Sequence, residues 1–212
     1  MFITEYAKQF IGRQETAGAN RGTLVDKWKD EVSKGLASQP IPWCACFGFA
    51  MLSEISGLGK SAIAEKLGFA AEAWYPEGTH SWLDQAKRAG RITNNPVRGD
   101  FFLLLKPDGQ GGFVAGQPHH LGILDQDGCP AIGSPMATVE GNTVPGHLDG
   151  TLSREGDGVY ARTRTVRRGE FVFISIPEAL KQQPESTEET PAPLQAPAAP
   201  AKAPAQPGPA QA

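Results

Sequence analysis

A cysteine that opens a helix is the residue in this chain best suited to nucleophilic chemistry. Pro42-Trp43-Cys44-Ala45-Cys46-Phe47 runs into Gly48-Phe49-Ala50-Met51-Leu52, which is apolar nearly all round, as in a buried helix. Proline is favoured at the first helical position, so Pro42 marks the start. The first turn of a helix carries unpaired backbone N–H groups and the positive end of the helix dipole. Both favour thiolate over thiol, and the thiolate is the nucleophile. On this stretch alone, a small buried hydrophobe is an equally good reading of Cys44 and Cys46. A helix turns about 100° per residue, so the two thiols point about 200° apart. Cys46 is therefore expected to pack on the far side.

A thiolate of this kind works with an imidazole that takes and returns a proton, held by a polar group. The candidate imidazoles are His80, His119, His120 and His147. Alternation along a strand puts His119 and His120 on opposite faces, so one of the two can meet the Cys44 helix. Glu140 and Asn142 are two apart and share a face if their strand persists. They can then flank a histidine on the neighbouring strand.

The elements that must position these groups fall into two halves. The first half reads helical. Helices are expected over 4–13, from Thr23 as N-cap to Gly35, from the Cys44 segment to Gly57, over 61–67, and over 81–89 with Gly90 as C-cap. The second half reads as strands: 100–105, 120–124, 137–140, 159–163 and 171–176. Short connections between them predict mostly antiparallel pairing, and helices followed by strands means an α+β fold. Composition breaks near Ile176, and from Thr190 the chain is almost wholly Pro, Ala, Gln and Gly. Such a segment cannot bury enough apolar surface to offset its ordering entropy. The expected organisation is a domain over 1–176 and a disordered Pro/Ala-rich tail over 177–212, most simply a solubilising end.

Four motifs in order resemble CHAP domains, the cysteine, histidine-dependent amidohydrolase/peptidases of the papain-like clan. They are Pro42-Trp43-Cys44-Ala45, Arg98-Gly99-Asp100-Phe101, His120-Leu121-Gly122-Ile123 and Thr138-Val139-Glu140-Gly141-Asn142-Thr143. Asn20-Arg21-Gly22 ahead of a helix is a further likeness, and the resemblance spans roughly 3–176. It implies a papain-like CHAP fold, with N-terminal helices packed on an antiparallel sheet, and cleavage of amide bonds in bacterial peptidoglycan. The bond would be the N-acetylmuramoyl-L-alanine amide or one in the stem or cross-bridge peptide. By the resemblance Cys44 is the nucleophile, His120 the base, Glu140 the acid that orients it, and Asn142 a further polar site residue. Asp100 is read as structural. The oxyanion would be held by the Cys44 backbone N–H and by Asn142 or Asn20. A second thiol at Cys46 departs from the family pattern, and the Gln110-Gly111-Gly112-Phe113 loop is long enough to shape a cleft. Two other readings fit the same residues: a catalytically silent module of a phage particle, and an amidase for a small amide outside the wall.

Bulk properties narrow the partners. The net charge of −3 and the lack of a basic stripe argue against nucleic acid. No apolar run is long enough for membrane insertion. No Asp-rich calcium loop or paired zinc spacing stands out, so no metal and no cofactor is expected. No secretory signal is visible, and three cysteines cannot all pair within the chain, which fits synthesis in a reducing cytoplasm. Action on the wall would follow lysis or specialised export, as for a phage lysin. Trp74, Tyr75 and Trp82 are candidate cleft aromatics, with Trp82 better read as core. Oligomeric state is left open.

Overall fold

The computed structural model describes residues 1–128, 130–144 and 156–184. His147, Cys129 and most of the Pro/Ala-rich tail lie outside them. The described chain is α+β. Helices α1 (Ile3–Lys8), α2 (Thr23–Val32), α3 (Cys44–Ser56), α4 (Lys60–Leu67) and α5 (Thr79–Arg88) precede a six-stranded antiparallel sheet. Its strands are β1 (Ile92–Thr93), β2 (Phe101–Pro107), β3 (Phe113–Leu124), β4 (Pro135–Thr143), β5 (Gly158–Thr165) and β6 (Phe171–Ile174). The spatial order is β1-β6-β2-β3-β4-β5. Among the described residues no helix is long and apolar enough to cross a membrane.

α3 is the centre of the core. All its residues but Glu54 are buried, which explains an apolar sequence with no polar face. Aromatic rings pack on two sides of it, edge to face except for the tilted Trp28–Trp43 pair. Trp28, Trp43 and Phe47 form one group with Phe10. Phe49, Phe69, Trp74 and Trp82 form the other. Trp74 and Trp82 are fully buried, so neither lines a cleft, whereas Tyr75 is 57% exposed. Gly48 lets α3 settle on the sheet: a Cβ there would come within 2.5 Å of Leu121 and 3.2 Å of Phe101. That close approach brings the start of α3 against β3.

Several boundaries move for tertiary reasons. α1 stops at Lys8 instead of running to 13. The Gly12 N–H donates to the Val159 carbonyl, and the Val159 N–H to that of Arg13, so this stretch is taken up by β5. Pro42 lies before the cap: Trp43 is the N-cap of α3 and Cys44 its first residue. Thr23 likewise is the first residue of its helix, with Gly22 as cap. β3 begins seven residues earlier than its apolar run suggests, because 113–119 extend a hairpin with β2. The boundary drawn at Ile176 falls short. The chain continues into a short helix, α6 (Glu178–Lys181), whose Leu180 and Lys181 are buried.

Candidate active site

Cys44, His120 and Glu140 come together where the start of α3 meets β3 and β4. Trp43 caps the helix with no side-chain bond to its free N–H groups. The first N–H inside the ladder is that of Phe47, which donates to the Trp43 carbonyl at 2.8 Å. The N–H groups of Cys44 and Ala45 therefore lie ahead of the ladder, around the thiol. His120 and Cys44 are hydrogen-bonded. The His120 Nε2 is 2.8 Å from Glu140 Oε2, so Nδ1 is the nitrogen left to face the sulfur. Alternation puts His119 on the other face of β3, half-buried, and His80 is exposed on α5.

The charges of these groups support one another. Burial alone would push the Cys44 thiol up. The hydrogen bond and charge of His120, with the N–H groups of Leu121 and Ala45, outweigh it and hold the thiol below its ordinary 9.0. Burial would lower His120, but its bonds to Cys44 and Glu140 win and raise it to about 9. Burial likewise opposes ionisation of Glu140, yet the charge and hydrogen bonds of Arg164, then those of His120, hold its carboxyl well below the usual 4.5. The two shifts run in the directions that favour a thiolate–imidazolium pair over a neutral thiol and imidazole. Cys46 is the opposite case. It is wholly inside the core, and burial, together with the nearby Cys44 and Glu77, pushes its thiol up to about 12.

Glu140 is completely buried and accepts from four donors. Arg164 Nε and Nη2 take one bond to each oxygen, the Thr138 hydroxyl donates to Oε1 at 2.6 Å, and His120 faces Oε2. Gly122 makes room for this carboxylate, since a Cβ there would lie 2.8 Å from Glu140 Cγ and 2.4 Å from Phe102. Arg164 and Thr138 were not among the residues expected here.

Asn142 does a different job from Glu140. The strand is irregular between Glu140 and Thr143, and Asn142 has a φ of +55°. In the amide orientation that satisfies both of its ends, its oxygen accepts from the Trp43 N–H at 3.2 Å. Its amide nitrogen donates to Asn20 Oδ1 at 3.3 Å and to the Gly156 carbonyl at 2.6 Å. The buried amide thus ties β4 to the helix cap and to the Asn20 loop. That loop is held from behind by Glu15, which accepts from the Trp43 indole N–H (2.8 Å) and the Asn20 N–H (2.9 Å), and by Lys29, which donates to the Asn20 carbonyl. Gly141 leaves space for the Phe47 and Trp43 rings. Among the described residues no group of three His, Cys, Asp or Glu side chains gathers as a metal ion would require.

These shifts set a pH dependence. Iodoacetamide should alkylate Cys44 rapidly at pH 7 and leave Cys46 untouched, with peptide mass spectrometry locating the label. In His120→Ala the Cys44 rate should fall at least tenfold, as the thiol loses its charged partner and returns toward an ordinary value. Equal, slow labelling of Cys44 and Cys46 in the wild-type protein would remove Cys44 as a nucleophile.

Comparison with protein-family models, with curated proteins and with solved structures finds no match.

Proposed function

We propose that the protein is a cysteine hydrolase that cleaves amide bonds of bacterial peptidoglycan through an acyl-enzyme. The observation that carries the proposal is the chain of contacts from Cys44, first residue of a buried helix, to His120 and on to the fully buried Glu140. The ordered motifs that resemble CHAP domains point the same way. So does the architecture of helices ahead of an antiparallel sheet, which fits a papain-like fold.

The steps follow from the charges. The Cys44 thiolate attacks the amide carbonyl and forms a C–S bond. The carbonyl oxygen gains negative charge and is met by the Cys44 backbone N–H, which is free of the helix ladder. The second donor is the Asn20 side chain. Asn142 is already bonded to Trp43, Gly156 and Asn20, and by gripping Asn20 Oδ1 it turns the Asn20 amide nitrogen away from itself. As the C–N bond breaks, His120 Nδ1–H protonates the leaving amine. The neutral imidazole then takes a proton from water, the hydroxide adds to the thioester, and the acid leaves as the thiolate and imidazolium re-form. The sum is amide plus water to acid plus amine.

Purified sacculi test the reading. Wild-type protein should release new amino termini or free stem peptides, identified by mass spectrometry of the soluble products. Release should vanish in Cys44→Ala and survive in Cys46→Ala. Binding without release would make the protein a wall-binding module. Neither binding nor release, with Cys44 still rapidly alkylated, would move the substrate to a small amide outside the wall.

A further inference from the structure

We propose that Arg164 is a positioning residue for the Cys44–His120 pair: it locks Glu140 in one orientation and supplies the positive charge that balances the buried site when Cys44 is a thiolate. This rests on the assignment of Cys44 and His120 above.

The argument begins with what a buried carboxylate needs. Glu140 has no contact with water, and an isolated ionised carboxylate in such a place neutralises by taking up a proton. A protonated Glu140 would have a hydrogen to place, and it would stop attracting the imidazolium. Arg164 prevents this with a two-point grip, Nε to Oε1 and Nη2 to Oε2. The Arg164 side chain is only 11% exposed, and its guanidinium lies over the Phe102 ring, 6.0 Å from its centroid, which fixes its plane. With Thr138 on Oε1 and His120 on Oε2, the carboxylate has one rotamer in which all four bonds are made.

Charge alternation supplies the second half of the argument. In the reactive state the groups run Arg164⁺, Glu140⁻, His120⁺, Cys44⁻, and they sum to zero. Without Arg164 the same state carries a net negative charge in a dry site, and the least costly correction is to protonate the sulfur. Arg164 therefore favours the thiolate from beyond its contact distance, through two intermediaries. The other charged groups facing this row are few. On β5, Arg162 also attracts Glu140 by its charge, while its Nη1 bonds the Thr143 hydroxyl and the Val144 carbonyl. Glu170, just ahead of β6, adds a negative charge that acts on Arg164. Lys29 on α2 and Glu77 ahead of α5 act on Cys46.

The test measures Cys44 alkylation by iodoacetamide against pH, with the label located by mass spectrometry. The proteins are wild type, Arg164→Met, Arg164→Gln, Arg164→Lys and Lys181→Met. Lys181 lies away from the site, so its variant controls for lost stability alone. Removing the charge with Met or Gln should raise the pH midpoint by about one unit, which makes labelling about tenfold slower on the acid side. Lys keeps the charge and loses the fork, and it should restore at least half of the shift. Lys181→Met should leave the midpoint unchanged. Should Met fail to fold, the comparison of Gln with Lys decides. A wild-type midpoint in both folded charge-free variants would reduce Arg164 to a structural residue, while Cys44 kept its role. An ordinary thiol midpoint in the wild type, unmoved by His120→Ala, would instead overturn the nucleophile assignment itself.

Discussion

Replacing Glu140 with glutamine should cost about 3–5 kcal/mol of folding stability and slow hydrolysis roughly 10³–10⁴-fold. The side chain keeps its shape and loses its charge. One of its two polar ends becomes an NH₂ group that must face a donor, because Arg164, Thr138 and His120 all donate to this carboxylate. A buried guanidinium is left without its counter-ion, which is the expensive half of breaking a buried pair. The catalytic loss comes from the imidazole. His120 Nε2 is fixed by Glu140 Oε2, and without that acceptor the ring can turn or carry its proton on the wrong nitrogen. The fall should therefore appear in kcat, with KM little changed.

The same substitution carries a pH signature. The folded-state carboxyl of Glu140 lies well below 4.5, its unfolded value. A depressed carboxylate contributes stability that is present above the unfolded value and is lost as pH falls through the folded one. The wild-type protein should thus lose its advantage over Glu140→Gln progressively below about pH 4.5, as read by urea unfolding at a series of pH values. His120 has the opposite sign. Its value is raised to about 9, so its share is full below 6.5 and disappears as pH rises toward 9. A constant gap between the two proteins from pH 3 to 7 would mean that Glu140 acts by packing, without its charge.

Much of this was legible because local and global signals agreed. The α3 segment is apolar all round, has a proline before its cap and closes on Gly57 with a φ of +68°, so its sequence can hardly be anything but a buried helix. Cys44, His120 and Glu140, singled out from their order in the sequence, are three side chains that the fold brings into contact. What escaped is what register decides. Nothing in the local sequence of β5 singles out Arg162 or Arg164. Only the pairing of Thr138 with Arg162, and Met136 with Arg164, carries both arginines toward the carboxylate. The available signal was physical: a carboxylate expected inside a core calls for a cation, and β5 held two. The shared face expected for Glu140 and Asn142 fails for a related reason. Two residues apart should mean one face, but the positive φ of Asn142 breaks the alternation and turns its amide toward Trp43. α6 escaped because four residues beside a Pro-rich stretch give no periodic pattern, and their helix is made by what they bury.

That docking leads to the second large effect. Asp100→Ala should destabilise the protein by about 3–5 kcal/mol. Asp100 sits at the junction of three segments and is 2% exposed. Its Oδ2 accepts from the Val97 N–H at 2.9 Å, and its Oδ1 accepts from the Ile176 N–H at 2.9 Å and from Lys181 Nζ at 2.9 Å. One carboxylate thus pins the turn into β2, the exit from β6 and the start of the C-terminal segment. The glycine before it is part of the same design. Gly99 has a φ of +83°, and a Cβ there would lie 3.0 Å from Phe2, Ile3 and Lys181 alike. Alanine at 100 strands two backbone donors and leaves the Lys181 ammonium, 1% exposed, with the Glu178 carboxylate at 3.0 Å as its one remaining ion-pair partner among the described residues. Lys181→Met should cost less, because Asp100 keeps its two backbone bonds and the apolar stem of the side chain is replaced in kind. The double variant should lose less than the sum of the two, since the second substitution removes the charge that the first one strands. Urea midpoints of the four proteins measure this directly. Activity per folded molecule should stay at the wild-type level throughout, because none of the Asp100 partners belongs to the Cys44 site. A folded Asp100→Ala protein that had lost activity would place Asp100 in the chemistry and overturn its structural assignment.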